Sequence, residues 1–239
     1  MIDFDFIDNK ANKTVLFLHG WGGDKNSFAI AKNCITYESN MVFISFTGFG
    51  NSSPPERAYF VDDFAIEVKR LLEELSLNSN ISIVCHSFGA RVAVKLINKY
   101  PDLFDKLLIV DGAGIKPKRS LKYYLRVARY KHLKLQVQKG KKDKKVLKKY
   151  GSKDYRALSD TMKQTFINVV NEDLTCFFKR VRIPTILFWG TKDKDTPMYM
   201  ARKINRCIKN SSLIKVKAGH FSYLETPDIF LSVLNNFLF

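Results

Sequence analysis

Residues 81–89 read Ile-Ser-Ile-Val-Cys-His-Ser-Phe-Gly. The first six are largely apolar, as a strand covered on both faces requires, and the last three open a helical pattern. That pattern runs through Val92, Val94, Leu96 and Ile97 and stops near Tyr100-Pro101, where proline blocks continuation. A strand passing straight into a helix makes a sharp turn, and small residues are needed around its apex because two backbones cross there. Ser87 stands at the apex, with Gly89 two residues after it and Cys85 two before. Such a turn thrusts the apex side chain out of the sheet with its hydroxyl exposed.

Similar apolar runs occur at 14–19, 41–46, 106–111, 184–189 and 212–217, with a shorter edge candidate at 2–7. Helical spacings lie between them, for example Phe64, Val68, Leu71, Leu72 and Leu75. Strands alternating with helices predict an α/β fold whose mostly parallel sheet is flanked by helices. The stretch 115–181 breaks the alternation. Leu121, Tyr124, Leu125, Ala128, His132 and Leu135 form one helical stripe, and Leu158, Met162, Phe166 and Val169 form another. Residues 1–114 and 182–239 are therefore expected to form the core, and 115–181 a helical cap. Caps belong beyond the carboxyl ends of the strands, where open α/β sheets bind ligands.

The charge marks the same boundary. The 239 residues carry 40 Lys and Arg against 23 Asp and Glu, a net of +17. Residues 116–153 hold 16 of the basic residues and one acid, Asp143, so this segment carries +15 and the rest only +2. A 46% hydrophobic composition rules out global disorder. No run reaches the ~18–20 apolar residues of a membrane span. The acidic start, Met-Ile-Asp-Phe-Asp, is unlike a secretory signal, so a soluble cytoplasmic protein is expected. Four scattered cysteines (Cys34, Cys85, Cys176, Cys207) suggest neither disulfides nor a zinc site and read as small buried hydrophobes.

A serine hydroxyl needs a base to act as a nucleophile, and there are four histidines to choose from. His19 ends a strand and suits local hydrogen bonding; His86 is adjacent to Ser87 and should point away; His132 lies in the basic insert. His220, in the loop Ala218-Gly219-His220-Phe221 after the last strand, remains. A carboxylate must orient that base. Asp193 and Asp195, after the strand at 184–189, are candidates, with Asp111 a third and Asp195 the better helix cap. Two backbone N–H groups should face the developing oxyanion. Phe88, after the serine, supplies one, and the turn His19-Gly20-Trp21-Gly22-Gly23 supplies the other.

These motifs, in this order along nearly the whole chain, resemble the α/β-hydrolase superfamily, and within it a small, capped, esterase-like branch. The resemblance of His19-Gly20-Trp21-Gly22 to the oxyanion loop implies Trp21 as the second donor. That of Gly190-Thr191-Lys192-Asp193, with Pro197 beyond, implies Asp193 as the acid. Glu225-Thr226-Pro227-Asp228 is similar to the start of the last helix. Two departures stand out: Cys85 replaces the first elbow glycine, and residues 45–52 lack the usual Asp and Pro of their loop.

The implied chemistry is hydrolysis of a small-molecule carboxylic ester through an acyl-enzyme on Ser87, with Asp193 and His220 completing the triad and no metal or organic cofactor required. Arg91, four residues after Ser87, suggests an alternative. Menaquinone-pathway synthases, cofactor-free lyases of similar fold with the same triad, carry an arginine at that spacing for a substrate carboxylate, although a structural tether to the cap is the simpler account. From another class comes anionic-surface or nucleic-acid binding through the basic cap. The lysine cluster at 141–149 has no interleaved aromatics for stacking bases, which argues against nucleic acid. A basic cap also suits steering of an anionic substrate.

Overall fold

Alternation along the apolar strands divides the interior in two. In the computed structural model, which describes residues 1–32, 38–117, 119–147 and 153–238, strands β1 (Asp3–Ile7), β2 (Thr14–Leu18), β3 (Asn40–Ser45), β4 (Ile81–His86), β5 (Phe104–Val110), β6 (Thr185–Gly190) and β7 (Ser211–Val216) form one sheet in the order β1-β3-β2-β4-β5-β6-β7. Only β1 runs antiparallel, at the edge beside β3. Leu16, Leu18, Val42, Ile44, Ile83, Cys85, Leu107, Ile109, Leu187 and Trp189 point to one face; Val15, Phe17, Met41, Phe43, Val84, Leu108, Val110 and Phe188 point to the other. Each face needs its own helical cover, which is why the central strands are apolar throughout.

On the first face lie α1 (Val61–Glu74), α2 (Gly89–Lys99) and α7 (Met198–Cys207). On the second lie Phe28, the short α8 (Ser222–Glu225) and α9 (Pro227–Leu238), which contributes Phe230, Leu234 and Leu238. Between β5 and β6 the described elements are all helical: α3 (Leu121–Gln138), a short turn at 144–147, α4 (Lys153–Ala157), α5 (Asp160–Asn171) and α6 (Thr175–Phe178).

The helices of that segment pack unequally. Met162 and Val169 of α5 and Phe178 of α6, with Leu174 and Val181, belong to the same apolar cluster as the strands. Helix α3 packs instead against the turn at 144–147. Its buried side chain is Leu133, and Val127, Tyr130 and Val137 on the same face are half-buried. The stripe singled out in the sequence is its other face: Leu121, Tyr124, Leu125 and Leu135 are 78%, 58%, 65% and 54% exposed. Helix α3 has two apolar faces, and periodicity alone does not say which one packs. The cysteines also divide: Cys85 is buried, Cys207 partly so and Cys176 exposed, which corrects the expectation for Cys176, while Cys34 lies outside the described residues. Among the described residues no helix is long and apolar enough to cross a membrane.

Helix α2 is buried from Gly89 to Ile97, so the two cations in that stretch need compensation. Lys95 pairs with Asp62 of α1 at 2.8 Å and with Glu172, after α5, at 2.6 Å. Arg91 donates from Nη1 to the Glu172 carbonyl at 2.9 Å. At the head of the same helix, a Cβ on Gly89 would stand 2.2 Å from the Leu18 carbonyl oxygen of β2. Gly89→Ala is therefore expected to cost about 1–3 kcal/mol through forced separation of two backbones, read as a lower urea midpoint at unchanged m-value.

Candidate active site

Parallel strands end together, and the loops leaving β2, β4, β5 and β6 converge at their carboxyl ends. Ser87 follows β4 with φ +46°, the left-handed conformation of a tight strand-to-helix turn. His220, on the loop between β7 and α8, accepts the Ser87 hydroxyl at Nε2 over 2.9 Å. Its Nδ1–H donates to Asp193 Oδ2 at 2.8 Å. The Asp193 side chain is fully buried and that of His220 is 15% exposed. Three of the residues singled out in the sequence thus form one unbroken hydrogen-bonded chain.

Asp193 is held from the other side as well. Thr196 Oγ1 donates to Oδ2 at 2.6 Å, and the N–H groups of Asp195 and Thr196 donate to Oδ1 at 2.8 and 3.0 Å. Burial would raise this carboxyl, but its hydrogen bonds to His220 and Thr196 outweigh burial and hold it below the ordinary 3.8. For His220 burial works against the charged ring, yet Asp193 prevails and the pKa lies above the ordinary 6.5. Asp195 is exposed and does not cap α7, whose N-cap is Pro197 with no side-chain bond. Asp193, Asp195 and His220 offer potential metal-ligand atoms all within 4.8 Å of one another. The Asp193 oxygens, however, are already engaged by protein donors.

Asp111, the third acid weighed from the sequence, does not reach the imidazole by any hydrogen bond among the described residues. Its buried carboxylate accepts the Gly190 N–H at 2.8 Å and the Ser222 N–H at 3.0 Å. Its carbonyl lies 3.0 Å from the Thr196 hydroxyl and shares that one proton with Asp193 Oδ2. Burial pushes this carboxyl up to about 6, against the pull of its N–H donors. Asp111 therefore ties the loop that carries Asp193 to the one that carries His220.

The other histidines serve as braces. His86 donates from Nε2 to the His220 carbonyl at 2.7 Å, and burial lowers its pKa to about 3. His19 accepts the Phe46 N–H at Nε2 over 2.9 Å, so its Nδ1–H donates to the Gly20 carbonyl; burial lowers it to about 4. That bond, with Ser52 Oγ donating to the Ser45 carbonyl at 2.5 Å, holds the loop at 45–52 in the absence of the expected Asp and Pro. His132 is exposed on α3. Cys85, in place of glycine, packs its buried thiol within the sheet against the Leu108 carbonyl.

A cavity of about 860 Å³ opens over Ser87 and His220. Trp21 and Phe166 line it, their rings 5.1 Å apart, and α3 contributes Tyr123 rather than its neighbour Tyr124, because α3 turns the other face inward. Arg91 also lines it, 4% exposed, and burial lowers its pKa to about 10, leaving it charged at neutral pH. Among the described residues, the backbone N–H groups of Trp21 and Phe88 have no hydrogen-bond partner.

A parallel sheet with helices on both faces and a serine elbow facing an Asp–His pair defines an α/β-hydrolase. The chain belongs to the family described as serine aminopeptidase, S33 (Hydrolase_4), which matches residues 9–219. It is 23% identical to the AB hydrolase superfamily protein YisY of Bacillus subtilis, over 94% of this chain and 91% of that one. It is 26% identical to Lipase 3 of a Moraxella species, over 91% and 75%. Among solved structures, an esterase from Exiguobacterium antarcticum superposes with a TM-score of 0.77 at 22% identity, covering 99% of this chain and 95% of that one. A bromoperoxidase from Bacillus anthracis superposes equally well, with a TM-score of 0.77 at 21% identity, over 99% and 95%.

Burial of His19 and His86 and the Asp193 hydrogen bond to His220 fix how the imidazoles should titrate. In a histidine-resolved NMR titration, His19 and His86 stay neutral down to acidic pH, with midpoints near 4 and 3, while His220 titrates above 6.5. Asp193→Asn should move the His220 midpoint down, because the hydrogen bond and charge that raised it are weakened.

Proposed function

We propose that the protein is a serine hydrolase cleaving a small-molecule carboxylic ester or related acyl bond. The observation that carries this reading is the continuous Asp193–His220–Ser87 chain opening into a cavity whose wall is partly apolar. His220, with its proton on Nδ1 held by Asp193, has Nε2 free to take the Ser87 proton as Oγ attacks the carbonyl carbon. The imidazolium that forms is stabilised by the Asp193 carboxylate. The unpaired N–H groups of Trp21 and Phe88 hold the oxyanion, each contributing about 3 kcal/mol to the transition state. His220 then protonates the leaving alcohol, the acyl group stays on Ser87, and a water deprotonated by His220 releases the acid.

Residues 115–181 act in this reading as a cap that closes the cavity. Arg91 both tethers that segment through the Glu172 carbonyl and sets a buried positive charge on the cavity wall, which suits a substrate with an anionic group. The esterase and lipase relatives agree with ester cleavage. The fold itself hosts other chemistries, so the site has to be tested directly.

Hydrolysis of a short-chain p-nitrophenyl ester should vanish in Ser87→Ala, with kcat lower by about 10⁶-fold and an unchanged circular dichroism spectrum. Because the base must be neutral, kcat/KM should rise with pH through the raised His220 pKa, and Asp193→Asn should shift that limb to lower pH while cutting kcat by about 10⁴-fold. Wild-type turnover retained in Ser87→Ala would remove Ser87 from the mechanism. Arg91→Met should raise KM for a hemisuccinate ester more than for the matching acetate; equal effects would assign Arg91 to tethering alone.

A further inference from the structure

Helix α3 carries two apolar faces but has a use in the fold for one. Successive residues on a helix are rotated by about 100°. On that wheel Leu121, Tyr124, Leu125, Ala128, His132 and Leu135 fall within about 60° of a common line. Leu133, Val127, Tyr130 and Val137 occupy the opposite side, the one that packs. The outward stripe runs through most of the helix, and its leucines and tyrosine are more than half exposed. Scattered exposed apolar side chains are ordinary; four large ones sharing one face of one helix are not.

The charge of the helix says what would cover it. Residues 121–138 include Lys122, Arg126, Arg129, Lys131 and Lys134 and no acid. Exposed Lys122 and Arg129 border the stripe on one edge and Lys131 on the other. Their long aliphatic stems can lie along a hydrocarbon surface while the charged ends reach up to an anionic layer. Exposed lysines at 139, 141 and 142 follow directly on the helix. An apolar stripe edged with cations and lacking acids is the pattern of a helix that lies in a membrane interface. A second copy of the chain would bring a like-charged helix against this one, and a nucleic acid would make no use of the leucines.

We propose that α3 docks the protein onto an anionic lipid surface, the Leu121–Leu125–Leu135 stripe entering the headgroup boundary and the flanking cations meeting lipid phosphates. Neither the stripe nor Lys122 and Arg129 line the cavity, so docking and turnover are separable by mutation.

Co-sedimentation of the full-length protein with phosphatidylcholine vesicles, with and without phosphatidylglycerol, tests this. Binding is expected only to the vesicles containing phosphatidylglycerol, and should weaken at high salt. Leu121→Ser/Leu125→Ser and, separately, Lys122→Glu/Arg129→Glu should each lower partitioning about tenfold or more while p-nitrophenyl ester hydrolysis stays at the wild-type level. No binding to anionic vesicles would overturn the proposal. So would binding that the leucine pair leaves untouched, since charge alone would then explain it. Tighter binding to duplex DNA than to vesicles, or a dimer in sedimentation equilibrium that the leucine pair dissociates, would overturn it too.

Discussion

The position of His220 depends on a carboxylate to which it is not bonded. Asp111 closes β5 with its side chain wholly buried, and its two oxygens accept N–H groups from the end of β6 and from the first residue of α8. Those two attachments fix the loops bearing Asp193 and His220 relative to each other, and the Asp111 carbonyl adds a third through Thr196. A Cβ on Gly190 would stand 2.0 Å from the Gly219 carbonyl oxygen, so the same two loops are also in direct backbone contact. Hydrogen bonds of 2.8 and 2.9 Å along the Asp193–His220–Ser87 chain are possible because the loops have little freedom to separate. A buried charge usually counts against stability, and here it provides geometry.

From the other side the serine is set by α2. That helix begins at a glycine pressed against β2 and is fastened along its length by Lys95 and Arg91 to α1 and to the segment after α5. The ion pairs lie a few turns from the serine, in the same rigid element. The α5 wall of the cavity and the elbow are therefore joined through one helix, whereas the imidazole is joined to the sheet through Asp111. The two halves of the hydrogen-bonded chain have separate anchors.

Much of this was legible in the residues. Strands buried on both faces must be apolar, so the sheet was visible in runs such as 14–19 and 81–86, and β1 at the edge was visible as a weaker one. Ser87 and His220 followed from a turn needing small neighbours and from a short supply of histidines. Asp193 did not follow from the sequence alone: choosing it over Asp195 required the resemblance to a known loop, because which aspartate turns inward is decided by two N–H groups donating to Oδ1. The role of Asp111 was out of reach for the same reason, since its partners lie 79 and 111 residues away. The misreading of α3 has a different origin. Val127, Tyr130, Leu133 and Val137 make a second stripe as regular as the first, and only tertiary contact selects between them.

Such an exposed line of leucines would ordinarily make a protein stick to itself. In this one, every copy presents those leucines between three cations, Lys122, Arg129 and Lys131, on a helix with no acid, so two stripes approaching face to face must first bring six like charges together. That repulsion reaches about 8 Å at physiological ionic strength and shrinks as salt is added. The lysines and arginines of α3 thus act as a colloidal spacer in free solution, keeping the apolar line unpaired, and concentrated salt would remove that protection.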